Sequence, residues 1–378
     1  IISVAGMYRT GKSYLLNRLL LNRASGFSVG PSINPCTKGL WIWSKPVSGY
    51  SADGTPINVL IIDTEGIGAT DEDQNHDSKI FTLGILLSSY FLFNSLGSID
   101  ENAIQNLSFI VNITKNVQVS ANNNEVDPRE IAKYLPSFMW IIRDFSLRLI
   151  DSEGEPITSK EYLEKSLELQ KGFSDVVEQK NKIRTLLKEF FKERDCATLV
   201  RPLTDEESLQ TLSLTDTSKL RPEFVDQINQ LRKKVLHKVK PKILNGKQLN
   251  GEMFCNLMHS YVEAINKGAV PVIENAWSVL CKNECGRAVN NAIAKYDELV
   301  TENFINKKPI EESELRKLHK TSKQAAMKLF RQSAIDGIYY DQFVTELKNS
   351  LKEKLIHHIR ANDMETKKVC ENYLQKNY

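Results

Sequence analysis

Residues Gly6–Ser13 read GMYRTGKS and satisfy G-x-x-x-x-G-K-[ST] at every required position. The β-branched run Ile1–Ala5 precedes them, and apolar residues continue at helical spacing through Tyr14, Leu15, Leu16, Leu19 and Leu20. Strand, glycine loop and helix in that order restrict the fold more than any other feature. Such a loop works only where backbone N–H groups and a helix N-terminus converge on phosphate oxygens. Gly6, Tyr8, Arg9, Thr10, Gly11 and Tyr14 are therefore expected around a nucleoside triphosphate. Lys12 should reach its β- and γ-phosphates, and the Ser13 hydroxyl should ligate Mg²⁺.

A second element fits the first. Asn58–Gly66 is an apolar strand ending in an acidic D-x-x-G turn. Asp63 is placed to hold the water shell of Mg²⁺, which keeps several waters and accepts a carboxylate through them. Gly66, with no Cβ, can bring its N–H against a γ-phosphate. Between the two motifs, Pro35–Gly39 occupies the position of a switch loop, and Thr37 is its candidate Mg²⁺ ligand.

Base selection has no standard motif here. N-K-x-D does not occur, because the stretches 114–117, 181–184 and 266–269 all lack the aspartate. A later strand instead ends in Arg143-Asp144. A carboxylate accepts from both N1–H and the 2-amino group of guanine, donors that adenine lacks, so Asp144 points to GTP. Arg143 could stack its guanidinium on the base, although an Arg-Asp pair can equally be a surface ion pair.

The rest of the chain reads as two domains, 1–270 and 271–378, with a net charge of only +3. No Lys/Arg block of five or more appears, which argues against nucleic-acid binding. Strands are expected at Ile1–Ala5, Leu40–Trp43, Val59–Asp63 and Phe138–Arg143, alternating with helical stretches. That pattern predicts an α/β fold, a P-loop domain whose mostly parallel sheet is covered by helices. The apolar run Ile80–Ile99 fits a helix followed by a buried strand better than a membrane span. Ala121–Asp127 reads as a polar loop, Glu161–Lys192 as helix, and Arg201–Glu207 as a turn opening another helix. After Pro271 the pattern becomes an all-α bundle. Cys281 and Cys285 stand at helical spacing, but a zinc site needs four ligands; His357-His358 reads as solvated helix surface. The six cysteines form no C-x-x-C pair, which suits reduced thiols and a cytoplasmic location. Because the chain opens inside a strand, a preceding segment is expected, and the C-terminus reads as truncated too.

Taken together, Gly6–Ser13, Thr37–Trp43, Asp63–Gly66, Leu87–Ser89 with Asn94-Ser95, and Arg143–Leu147 closely resemble the guanylate-binding protein family of large, dynamin-related GTPases. The likeness continues into Tyr261–Asn266 and Glu274–Ala276; atlastins look less similar, usually carrying Gln where Glu65 stands. The resemblance implies GTP as substrate, Mg²⁺ as cofactor, and a homodimer formed through the GTPase domains. It implies that Arg9 is an internal arginine finger, that Thr37 is the switch ligand, and that Glu65 handles the attacking water. It implies that Arg143 and Asp144 read guanine, that about Pro202–Arg221 caps the base, and that a helical middle domain follows Pro271. Membrane association is possible in such a family but has no visible carrier in this segment. One departure stands out: animal members commonly carry Ser-His before the switch threonine, and here the pair is Pro35-Cys36. Proline offers no hydroxyl, so a GTP-gated scaffold with little hydrolysis is the alternative reading, and a second cleavage to GMP is open.

Overall fold

Every residue of β1 (Ile2–Gly6) is buried, as expected of a strand with neighbours on both sides and helices on both faces. The computed structural model describes residues 1–30, 36–51, 54–68, 74–120, 127–304 and 309–377. They form two compact units, Ile1–Glu274 and Asn275–Tyr378.

In the first unit, the phosphate loop leads from β1 into α1 (Lys12–Leu19). Next come β2 (Leu40–Ile42), a hairpin of β3 (Val47–Tyr50) and β4 (Pro56–Val59), and β5 (Ile61–Thr64). The apolar run resolves as expected into α2 (Gln74–Leu87) and the buried strand β6 (Tyr90–Leu96). Short helices α3 (Glu101–Gln105), α4 (Phe109–Asn116) and α5 (Pro128–Ile131) lead to β7 (Ser137–Arg143). Then come α6 (Ser159–Ser166), α7 (Asp175–Phe190), β8 (Arg194–Thr198), α8 (Glu206–Gln210) and α9 (Pro222–Lys238). A small ribbon, β9 (Ile243–Leu244) with β10 (Lys247–Gln248), precedes α10 (Gly251–Asn266).

The main sheet has six strands in the order β2-β5-β1-β6-β7-β8, parallel except for the edge strand β2. Parallel register sets Val4 beside Asp63, Gly6 beside Asn94 and Leu96 beside Arg143. The phosphate loop, the acidic turn and the Arg143 corner consequently share one edge, the C-terminal ends of the strands, where open α/β sheets bind ligands. On one face, Leu15, Leu16 and Leu19 share a core with Phe224, Ile228, Leu231 and Val235 of α9. On the other, Phe81 meets Phe91 edge to face, Phe91 stacks on Phe138, and Phe138 tilts against Phe191 around the middle of the sheet.

Three expectations need correction. Val59–Asp63 is not one strand: Val59 closes the hairpin with Val47, and the main sheet takes over at Ile61. Glu161–Lys192 is not one helix either; Gly172 has φ +140°, and the Ser174 hydroxyl caps a new start. β8 was unforeseen because RDCAT looks polar, yet buried Asp195 is neutralised by Lys234 (2.8 Å) and Lys238 (2.5 Å) of α9. Residues 121–126 of the expected polar loop lie outside the described residues.

The second unit consists of α11 (Ile273–Asn303, which begins just before it), α12 (Glu312–Ser333) and α13 (Tyr340–Asn377). Its core is built from Ala288, Ala292, Tyr296, Phe330, Leu347 and Leu351 among others. Cys281 and Cys285 are buried thiols, and Cys285 donates to the Ile335 carbonyl at 3.4 Å. His357 is exposed, but His358 is not merely solvated: its ring lies 5.6 Å from Phe304 and 6.3 Å from Tyr296. No helix among the described residues is long and apolar enough to cross a membrane.

Lys242, between α9 and β9, is 7% exposed and donates to the carbonyls of Ser88 (2.8 Å) and Tyr134 (3.1 Å). Burial draws its pKa down from 10.5 to about 7. Below that value both folded and unfolded states carry the proton, and the folded state bears the full cost of a buried charge. Between about 7 and 10.5 the folded amine is neutral while the unfolded one stays charged, so stability rises with pH. Urea unfolding from pH 6 to 9 should show wild type gaining on Lys242→Met by about 1 kcal/mol per pH unit near pH 8. A constant difference between the two would refute the assignment.

Candidate nucleotide site

The loop between β1 and α1 is held from three sides. Gly6 has φ +154°, and a Cβ there would stand 2.1 Å from the Asn94 carbonyl oxygen, so only glycine permits β1 and β6 to approach this closely. The Asn94 side chain donates to the Thr10 carbonyl at 2.8 Å, and the Thr10 hydroxyl donates to the Met7 carbonyl at 2.8 Å. Tyr8 N–H donates to the Ile67 carbonyl at 2.8 Å, tying the loop to the acidic turn. Gly11, at φ +74°, opens α1 without a side-chain cap, which leaves the first N–H groups of the helix for an anion.

Lys12 is 7% exposed and donates to the Met7 carbonyl at 3.2 Å. Burial draws its pKa down to about 8, against the opposing pull of Asp63 and Glu65. Below Lys12, oxygens converge. Ser13 Oγ donates to Asp63 Oδ2 at 2.6 Å, Thr37 Oγ1 donates to the same oxygen at 3.1 Å, and the two hydroxyls are 3.3 Å apart. Asp63 is fully buried; burial raises its pKa, opposed by the bond from Ser13 and the charge of Lys12. Asp63 Oδ1 is buried with no hydrogen-bond partner. Two hydroxyls and a carboxylate with a free oxygen make a hard donor set suited to Mg²⁺, whose remaining positions go to water and phosphate. Glu65, 3% exposed, accepts from Gly39 N–H at 2.8 Å and meets His76 Nε2 at 3.2 Å. The spacing of the motifs gave no signal for His76.

A cleft of about 260 Å³ runs from these groups to Arg143. Of the expected residues, Tyr8, Arg9, Gly11, Lys12, Ser13, Tyr14, Thr37, Gly66 and Arg143 line it. Gly6 and Thr10 of the loop and the buried Asp63 and Glu65 do not form the lining. Arg143 is 4% exposed, with its guanidinium 5.8 Å from both the Tyr14 and Phe224 rings. Burial lowers its pKa, while Asp144 and Tyr14 oppose the shift. Asp144 sits in the left-handed region at φ +55°, beside the cleft rather than in its lining. Ser28–Gly30 form one wall and Leu209, Gln210, Leu212 and Ser213 another. The latter belong to the segment expected to cap the base. Arg18 anchors its far end by donating to Thr217 Oγ1 at 2.9 Å and to the Thr215 carbonyl. Arg9, at φ +64° and exposed, donates from Nη1 to the Gly30 carbonyl at 2.9 Å. Cys36 is an exposed thiol in the wall, whereas Pro35 lies outside the described residues.

Comparison with known proteins gives the family. The family described as "Guanylate-binding protein, N-terminal domain" matches residues 1–244, and "Guanylate-binding protein, C-terminal domain" matches 245–377. The chain belongs to the guanylate-binding protein family. Similar relatives include guanylate-binding protein 1 of Pongo abelii and of Homo sapiens, each 35% identical over 384 residues. Guanylate-binding protein 5 of Mus musculus is 33% identical over 384 residues. Each alignment covers 99% of this chain and 63% of the relative.

A Cβ on Gly66 would stand 2.6 Å from the Tyr8 Cα and 2.9 Å from Lys12 Nζ. The lysine can swing away but the backbone cannot. Gly66→Ala should therefore weaken binding of a fluorescent guanosine triphosphate analogue by roughly 10-fold or more, since even a displacement of about 1 Å is costly in a positioned site. Unchanged affinity would show that the acidic turn need not touch the loop.

Proposed function

We propose that this chain binds GTP with Mg²⁺ and hydrolyses it, and that two copies meet through their GTPase domains when GTP is bound. The observation that carries the reading is the convergence of Ser13, Thr37 and Asp63 oxygens beneath Lys12 at the open N-terminus of α1. The triphosphate would lie along Tyr8–Ser13 and Gly66, and Mg²⁺, held by Ser13, Thr37 and the Asp63 carboxylate, would offset its charge. Family membership supports guanine as the base, with Arg143 closing that end of the cleft and Asp144 accepting from the ring. We assign residues 1–270 to the GTPase domain and 271–378 to a helical middle domain.

Lys12 neutralises charge on the transferred phosphoryl group, and Glu65 orients the attacking water. Arg9 is the internal finger. In the structure it is held at the rim by the Gly30 carbonyl, so reaching the phosphates requires that bond to break. Dimerisation supplies the occasion, by covering the rim and excluding water. An arginine delivered this way typically contributes ~10³–10⁵ in rate. The product is GDP, and a second cleavage to GMP is a further possibility that the same assay reads.

Turnover measured across protein concentrations, with GTP, GDP and GMP separated by ion exchange, tests this. Specific activity should climb with concentration, and Arg9→Ala should lower it on the order of 10³-fold while leaving nucleotide affinity nearly unchanged. Flat activity would remove the dimer; tight binding with no turnover would leave a GTP-gated scaffold. Asp144→Asn should reduce the preference for GTP over ATP by at least ~10-fold, because one of the two carboxylate acceptors that face the donors of guanine becomes a donor itself. Equal discrimination in both proteins would move base selection elsewhere.

A further inference from the structure

We propose that His76 is a positioning residue for Glu65, fixing which carboxylate oxygen is presented to the attacking water; this rests on GTP hydrolysis being the activity of the chain. Glu65 Oε2 is held from two directions, by Gly39 N–H at 2.8 Å and by His76 Nε2 at 3.2 Å. A carboxylate only accepts, so Nε2 of His76 carries the hydrogen in this contact. With Oε2 engaged, Oε1 is left buried and without a hydrogen-bond partner. An unpaired buried oxygen is costly, and it persists where a ligand or water completes it. The same carboxylate is close enough to Lys12 to oppose the fall in its pKa, which puts Glu65 near the γ-phosphate end of the site.

The two holders differ in kind. Gly39 stands two residues after Thr37, where the switch segment joins β2, and its carbonyl also accepts from Glu65 N–H at 2.8 Å. His76 stands in the first turn of α2, whose later residues Phe81, Ile85 and Leu86 are buried in the core. Its own side chain is 38% exposed, so it reaches Glu65 from the outer side. His76 is thus the one side chain among the described residues that holds Oε2, and it leaves Oε1 unengaged. Pro35 has no hydroxyl to share this task, which makes the histidine contact the more consequential.

The test compares wild type, His76→Leu and His76→Gln by kcat, by KM for GTP, and by affinity for a fluorescent non-hydrolysable GTP analogue. Leucine fills the space but cannot donate, and glutamine restores a donor. His76→Leu should lower kcat by about 10-fold or more, with KM and analogue affinity within about 2-fold, as expected when a reacting group loses its aim by ~1 Å. His76→Gln should recover most of kcat. Wild-type turnover in His76→Leu would overturn the proposal. So would a parallel loss of kcat and analogue affinity in both variants, because that marks a merely structural residue. A wild-type protein that binds the analogue yet never turns over GTP would overturn the hydrolysis reading itself, a result recognisable without either variant.

Discussion

Lys12 and Asp63 are opposite charges withdrawn from water at the same edge of the sheet, and the rest of the nucleotide site is arranged around that fact. Burial pushes the lysine down to about 8 and the aspartate up, so each group is held away from its comfortable charged state. Mutual attraction repays such desolvation only when further hydrogen bonds are supplied. Ser13 and Thr37 supply them to one oxygen of Asp63, and the Met7 carbonyl supplies one to Lys12. Asp63 Oδ1 is left buried and without a hydrogen-bond partner. Under the proposed function, a magnesium-bound triphosphate would set a cation beside that oxygen and an anion beside the lysine.

The sheet makes this arrangement possible through register and through two missing side chains. Val4 pairs with Asp63, which fixes the carboxylate one strand away from the loop that carries Lys12. Gly6 lets β6 approach and Gly66 lets the acidic turn approach, each at a distance that any Cβ would forbid. Asn94 then ties the loop to β6 through its amide. Arg9 is a different kind of exception. A non-glycine residue at φ +64° is strained, and its side chain is held at the rim by the Gly30 carbonyl.

Much of this was legible in the sequence because the motifs are local. Spacing alone brings Gly6, Lys12 and Ser13 into one loop, and a β-branched run ending in an acid predicts a parallel strand that delivers Asp63 to the same edge. What depends on distant partners was not legible. β8 looks too polar for a sheet until Lys234 and Lys238 are seen to neutralise Asp195 from a helix some 40 residues later. His76 carries no motif, since its meaning comes entirely from Glu65 lying beside it in space. At the base end, Arg143 and Asp144 are neighbours in sequence, yet Arg143 closes β7 with its guanidinium 5.8 Å from the Tyr14 and Phe224 rings, whereas Asp144 lies past the strand in the left-handed region beside the cleft.

The segment 37–39 makes two contacts that act together. Its first residue gives a hydroxyl to the Asp63 oxygen that also takes Ser13, and its last gives an N–H to Glu65. Two residues of extended chain span only about 7 Å, so neither contact moves without the other. A ligand that draws the Thr37 hydroxyl toward a cation would therefore also reset the pull of Gly39 on Glu65. In this way the Asp63 and Glu65 carboxylates are linked mechanically through Thr37 and Gly39, by a stretch of backbone too short to absorb a difference between them.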